Sequence, residues 1–268
     1  MNKINNIIIK EISKDKTVAM NEIHECINIQ ENVNWHTEIV SSHVLRADTI
    51  NRVDESLNLG YILLAINNKT DEIAGFARVT STFERNKNWL HEIAVKQGAQ
   101  SNNIGLQLMK AVKKKSLELG ATHLFFTYDP FEGQNGRLYL TKCGAKAIKV
   151  YENLYGETNT AAHSNRKSHR FLVAWDLKND KSITENIIEN QNIPTIEEMP
   201  LPDNLKIFKI EIPYRVQILN EINAKKWQEK TFPILINAIN ILNFCAVYVL
   251  TFKHEKRNYI VLEKMQTE

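Results

Sequence analysis

Glycine, proline and cysteine are all scarce in this chain of 268 residues, at nine, six and three copies. So little glycine and proline excludes a collagen-like chain or a flexible spacer. Cys26, Cys143 and Cys245 lie far apart without paired spacing, which argues against a disulfide framework or a zinc site and for a reducing compartment. Charge of one sign is also lacking: 34 Lys and Arg face 31 Asp and Glu, a net +3, too little to point to nucleic acid. No long apolar segment with a small-residue cleavage site follows Met1, so no secretory signal is read and a cytoplasmic protein is expected. One uncharged run, Pro233 to Phe252, is long enough to span a bilayer. It holds Asn237, Asn240 and Asn243, and its second half is aromatic and β-branched, so a helix followed by a strand is expected instead. What the chain has is an ordinary apolar share of 43% and an excess of asparagine, 30 copies, which reads as the coding bias of an AT-rich genome.

The hydrophobic pattern alternates between strand and helix periods. Ile7 to Ser13 reads as a strand and Val18 to Ile29 as a helix. Ser41 to Leu57 reads as a second helix and loop. Tyr61 to Ile66 and Ile73 to Thr80 form a hairpin across the turn residues Asn67 to Asp71. Trp89 to Val95 is a strand, Lys96 to Asn103 a loop, and Ile104 to Leu119 a helix stopped by Gly120. A strand (Thr122 to Thr127), a short helix (Gln134 to Cys143) and two strands (Ala145 to Tyr151, Arg170 to Leu177) follow. Residues 178–204 are polar, with Pro194, Pro200 and Pro202, and read as a linker. Beyond them come a strand (Ile207 to Ile212), a helix (Val216 to Ile241) expected to break near Pro233, and a hairpin of Phe244 to Phe252 with Tyr259 to Leu262. No internal repeat is legible.

The informative segment is strand, loop, helix: Leu90 to Val95, Lys96 to Asn103, Ile104 onward. A tight loop opening a helix offers several backbone N–H groups in one direction, and the helix dipole adds positive potential, which suits a pyrophosphate. Within it, Gln100-Ser101-Asn102-Asn103-Ile104-Gly105 resembles the Q/R-x-x-G-x-G/A loop of the GNAT superfamily of acyl-CoA-dependent N-acyltransferases. Ala94-Val95 before it and Leu106 to Met109 after it fit the same pattern. The resemblance covers about residues 7–177. Tyr128 to Phe131, Asn135, Lys142 to Ala145, Asn153 to Glu157 and Ser168 to Trp175 are similar to a branch of predicted acetyltransferases with a C-terminal extension, matched here by Ile212-Pro213.

The resemblance implies an α/β fold: a GNAT-like mixed, mostly antiparallel sheet flanked by helices. Residues 1–177 would be the acyl-CoA-binding domain, 178–204 a linker, and 205–268 a smaller α+β C-terminal domain that shapes the acceptor pocket. The cosubstrate would be acetyl-CoA or another acyl-CoA. Its pantetheine would lie between strands Trp89–Val95 and Thr122–Thr127 and pair with main-chain groups of Ile93 and Val95. Amides across Asn102 to Leu106, with Gln100, Ser101, Asn103, Ile104 and Gly105 in the loop, would hold the pyrophosphate. Asn135 would bond near the pantetheine. The expected partners are a small-molecule amine acceptor and a second copy in a homodimer, with no nucleic acid, membrane or metal.

Two departures from the family pattern matter. Asn103 stands where the first glycine is usual, although Asn tolerates positive φ. Leu140 stands where many members carry a thiolate-protonating Tyr, and Tyr139, one position away, would point elsewhere on a helix. N-acylation needs a base with a pKa near neutrality. His91, on the strand face of Ile93 and Val95, is the candidate. Glu92 faces the other way and reads as a solvated or salt-bridged residue. A backbone N–H, at Val95, would hold the oxyanion. Two functions follow: an N-acetyltransferase acting on a small-molecule amine by direct transfer, or a degenerate domain that only binds acyl-CoA. Of the basic stretches, Lys113–Lys115 reads as a solvated helix face. His163–Arg170 reads as a flexible surface turn or an anion-binding loop.

Overall fold

The computed structural model describes residues 7–33, 39–50, 54, 59–100, 103–156, 167–179 and 192–266. By its contacts the chain divides into two compact units, one reaching to Phe125 and the other beginning at Phe126.

The first unit orders its strands β1 (Ile7–Glu11), β2 (Gly60–Asn67), β3 (Ile73–Ser81), β4 (Lys87–Val95) and the start of β5 (His123–Tyr128). The first three pairings are antiparallel. The last is parallel and runs only over Lys87–Trp89 and His123–Phe125. β2 and β3 are buried along nearly their whole length because helices cover both faces. Side chains alternate across a strand. Ile62, Leu64 and Phe76 therefore pack with Ile23, Cys26 and Ile29 of α1 (Lys16–Asn32) and Leu45 of α2 (Ser42–Asp48). On the other face the Tyr61 hydroxyl lies 2.7 Å from Ser116 Oγ of α3 (Ile104–Glu118). Gly120, at φ 87°, ends that helix as its sequence position indicates.

The second unit contains a repeat that the sequence does not disclose. Its strand order is β5, β7 (Arg170–Asp176), β6 (Lys146–Tyr151), β9 (Phe244–Phe252), β10 (Arg257–Lys264), β8 (Ile207–Ile212). From either end this is the same motif: a strand, a helix, the strand after the helix, and a third strand inserted between the two. The first helix is α4 (Gly133–Gly136), which widens into a π-helical segment at Arg137–Lys142. The second is α5 (Glu221–Ile236), which widens into a π-helical segment at Asn237–Ile241. Each ends in a left-handed residue, Gly144 (φ 72°) and Asn243 (φ 56°).

The two copies meet at β6 and β9, antiparallel through Ala147 and Ala246. Thr141 Oγ1 donates to the Val249 carbonyl (3.1 Å) and accepts from its N–H (3.0 Å). Asn240 accepts from the Val150 N–H and donates to its carbonyl, both at 2.9 Å. Thr141 and Asn240, Val150 and Val249, and Ala147 and Ala246 are each 99 positions apart, so a pseudo-twofold axis passes between the two alanines. Each helix caps backbone groups of the other copy's strand that the ladder leaves open.

One expectation is corrected by the structure. The helix after Tyr214 is not broken at Pro233. A short turn at Val216–Ile218 precedes α5, which runs through Pro233 and changes pitch only at Asn237. Pro233 is exposed, so the one helical bond it cannot donate leaves a carbonyl near solvent. The division by contacts falls at Phe125/Phe126, and residues 180–191 of the stretch read as a linker lie outside the described residues. Pairing of β6 with β9 and the reciprocal helix bonds tie the last strands to the copy that precedes them. The end of that stretch joins in: Ile193 is buried with Val247 and Val261, and Ile196 N–H donates to the Lys209 carbonyl. The uncharged run from Pro233 to Phe252 is a helix end, the π segment and β9, and no described helix is long and apolar enough to cross a membrane.

Candidate active site

The site in the first unit is built on β4. Its β3-side edge is fully paired, but its pairing with β5 stops at Trp89. Lys96 N–H donates to the Ala74 carbonyl on β3, so alternate residues Ala94 and Glu92 also turn their backbone groups to β3. Ile93 and Val95 therefore turn theirs to the open edge. Gln100 Nε2 reaches Val95's carbonyl there (3.3 Å).

A register shift puts Leu90 opposite Val79 and Glu92 opposite Arg78, which leaves His91 as the extra residue of a β-bulge. Burial still alternates through it: Leu90, Glu92 and Ala94 are buried, while His91, Ile93 and Val95 are less so. His91 thus shares the face of Ile93 and Val95. Its pKa is lowered, first by desolvation and then by the Arg78 charge, with Asp48 opposing. The imidazole is therefore neutral at pH 7 and free to accept a proton.

Behind His91 lies a charged network spanning distant parts of the sequence. Arg78, 4% exposed, donates from Nε to Asp48 (2.5 Å) and from Nη1 to Glu92 Oε1 (3.3 Å). Glu92, 8% exposed, keeps its other oxygen without a partner. Burial outweighs the attraction of Arg78 and pushes the Glu92 carboxyl up to about 7. It is salt-bridged as its sequence setting suggested, but it also titrates near neutrality. That follows first from burial of the carboxyl, which no local sequence pattern encodes.

The loop to α3 tests the asparagine in the glycine place. Asn103 adopts φ 57°, ψ 19°, the left-handed conformation glycine would take, and makes no side-chain cap. The helix then starts at Ile104. Amides of Ile104, Gly105 and Leu106 belong to its first turn, where no intrahelical acceptor exists. Gln100 and Asn103 are exposed beside them. Ser101 and Asn102 lie outside the described residues. Of the basic run after this loop, Lys115 is not simply solvated, since it pairs with Glu11 at 2.9 Å.

Asn135 belongs to the second unit, exposed in the first turn of α4. Leu140 is fully buried in the π-helical segment, and Tyr139 is buried against Phe126 and Tyr128. Burial raises the Tyr139 pKa above its ordinary value. The Tyr128 hydroxyl, in the Tyr128 to Phe131 stretch of the branch resemblance, is buried and has no hydrogen-bond partner among the described residues. Of the basic stretch His163–Arg170, residues 163–166 lie outside the described residues. The rest is not a loose turn: Ser168 is fully buried and its hydroxyl donates to the Gly156 carbonyl (3.0 Å).

Comparison with known proteins identifies the first part of the chain. Residues 21–145 match the model of the Acetyltransferase (GNAT) family. No curated protein matches the sequence. Among solved structures, an N-acetyltransferase from Staphylococcus aureus Mu50 is 15% identical, covers 64% of this chain and 99% of its own, and superposes with a TM-score of 0.50. The NatC complex bound to Gag peptide and CoA gives 13% identity, 64% and 98% coverage and a TM-score of 0.50. A GNAT family acetyltransferase from Elizabethkingia anophelis with acetyl-CoA bound is 18% identical, with 64% and 98% coverage and a TM-score of 0.45.

Proposed function

Residues 21–145 are a GNAT acetyltransferase domain, and from that premise we propose that the protein moves an acetyl group from acetyl-CoA to the primary amine of a small molecule, by direct transfer in a ternary complex. The observation that carries this reading is the open edge of β4 leading to the N-terminus of α3. Backbone groups of Ile93 and Val95 are presented for an extended amide-bearing arm. The amides of Ile104, Gly105 and Leu106 then follow for a pyrophosphate.

In this scheme neutral His91, directly or through a water, takes the proton of the attacking amine. The amine nitrogen bonds to the thioester carbon, and the Val95 N–H supports the oxyanion while it lasts. Collapse breaks the C–S bond. The departing thiolate takes a proton back from imidazolium His91 or from water, which removes the need for an acid at Leu140. A cytoplasmic site suits the free, buried thiols of Cys26, Cys143 and Cys245.

The competing reading is an acyl-CoA-binding module without turnover, favoured by the buried Leu140 and Tyr139. Thiol release from acetyl-CoA against a panel of amines separates the two. Release with at least one amine supports the enzyme. Tight CoA binding with no release supports the module, and no CoA binding overturns both. His91→Ala should lower the rate by roughly 10²–10⁴ with acetyl-CoA affinity nearly unchanged. An unchanged rate removes His91 from the mechanism.

A further inference from the structure

The two copies of the repeat differ in one respect that packing does not require. With the 99-residue offset, α4 begins at Gly133, opposite Phe232, whereas α5 begins eleven residues earlier than that match, at Glu221. This added stretch, about three turns long, is capped by Asn220, whose Oδ1 accepts from the Asn223 N–H (2.9 Å). It is tied down where Gln228, itself buried, donates to the Lys167 carbonyl (2.9 Å). Between it and the residues leading into β7 lies a cavity of about 760 Å³. That volume is within the range of small-molecule sites.

One wall of the cavity is a flat stack. The His169 ring lies on the Phe232 ring with centroids 3.5 Å apart and planes 22° from parallel. His169 Nδ1 accepts from the Asn153 N–H (3.3 Å), which leaves the ring proton on Nε2. Burial, with help from the Lys167 charge, pushes the His169 pKa down to about 4 against the pull of Asp129, so the ring is neutral and adds no positive charge to the stack. Pro233, Ile236 and Ile241 extend the apolar surface. The polar lining is Glu152, Glu221 and Glu229 against Lys167 and Lys225, with Asn237, whose Oδ1 has no hydrogen-bond partner. Among the described residues none of these five charged side chains forms a salt bridge. Carboxylates outnumber ammonium groups, and the one orphan polar atom is an acceptor.

We propose that this cavity binds a small amphipathic amine, its apolar body against Pro233 and Ile236 beside the Phe232–His169 pair and its ammonium group received by the Glu229 carboxylate. The residues involved lie outside the segment of the acetyltransferase domain and outside the β4 site, so the site stands whether or not acetyl transfer occurs. Apolar burial supplies the affinity, and the Glu229 carboxylate supplies the preference for a cation over an alcohol or an acid.

The test is calorimetric titration of the full-length protein with 2-phenylethylamine, 2-phenylethanol and 3-phenylpropionate. The amine should bind roughly ten-fold or more tightly than either analogue, as one charge-assisted hydrogen bond implies. Glu229 is exposed, so Glu229→Gln leaves the fold intact and should remove most of that preference. Binding should also shift the His169 ring resonances in NMR spectra. Equal binding of the three probes, or no binding of the amine, overturns the proposal. So does a Glu229→Gln protein that binds the amine as wild type does. Thiol release measured with the same amine identifies its source: an acetyl acceptor if acetyl-CoA is consumed, a separate ligand if it is not.

Discussion

At the scale of residues, the scarcity of glycine is met by asparagine. Among the described residues six non-glycine residues have positive φ, and four of them are Asn103, Asn153, Asn204 and Asn243. Asn reaches the left-handed region at lower cost than other side chains because its amide bonds locally. An excess that reads as genome bias therefore serves the backbone at specific turns, and at Asn103 it opens the helix that we propose receives the pyrophosphate. Asn103→Gly should keep or tighten acetyl-CoA binding. Asn103→Val, which resists positive φ, should weaken it and cost about 1–3 kcal/mol of stability. Calorimetry and denaturant unfolding of the two variants check this, and equal behaviour of Gly and Val would remove the role of that conformation.

Glu92 makes a second prediction at this scale. Its folded pKa is raised to about 7 from the ordinary carboxylate value of 4.5. The folded state then holds more protons than the unfolded one between those values. The contribution is fully present below pH 4.5 and is lost as pH climbs to 7. Glu92→Gln, which cannot ionise and leaves the Arg78–Asp48 pair in place, should remove that decline. Its melting temperature relative to wild type should rise between pH 5 and 8. A constant difference across that range would show that Glu92 does not titrate there.

At the scale of elements, local chemistry was legible and non-local chemistry was not. The β2–β3 hairpin follows from Asn67 to Asp71, α3 from its periodicity and Gly120, and the β9–β10 hairpin from its two apolar runs. The open edge of β4 and the bulge at His91 depend on register with β3, which no local pattern encodes. The repeat in the second unit is hidden for a similar reason. Beyond the paired Ala147/Ala246 and Val150/Val249, its copies share roles more than residue types: threonine in one and asparagine in the other cap the same pair of backbone groups, and glycine in one matches asparagine in the other. Thr141→Val and Asn240→Leu should each leave a buried N–H and C=O unpaired and cost about 1–3 kcal/mol. Thr141→Ser should lose little. Denaturant midpoints measure all three, and a neutral Thr141→Val or Asn240→Leu would contradict the reciprocal capping.

At the scale of the whole molecule, the strands and helix after Asn204 are part of the second compact unit. The sequence signals a boundary through prolines and acids at 178–204, but contacts join β9, β10 and β8 to β6 and β7. Ending the chain after Asn204 should therefore remove half of the repeat, expose the edge of β6 and lower the melting temperature or abolish the cooperative transition. A truncated protein that melts as the full chain does would show that residues 205–268 are dispensable to the fold. The fold of the first unit was readable from the resemblance carried by Gln100 to Gly105, the loop we propose for acyl-CoA. The cavity beneath α5 was not, because its walls come from Lys167, His169 and Phe232, which meet only through the repeat.

The central claim, acetyl transfer with neutral His91 as base, is tested most directly by thiol release from acetyl-CoA as a function of pH, in wild type and in His91→Ala. The account predicts release with a small primary amine, an acid limb of kcat/KM with its midpoint below 6.5, and loss of both rate and limb in His91→Ala. A limb centred near 7 that survives in His91→Ala and vanishes in Glu92→Gln would transfer the base to Glu92. No release with any amine at any pH would contradict the claim outright.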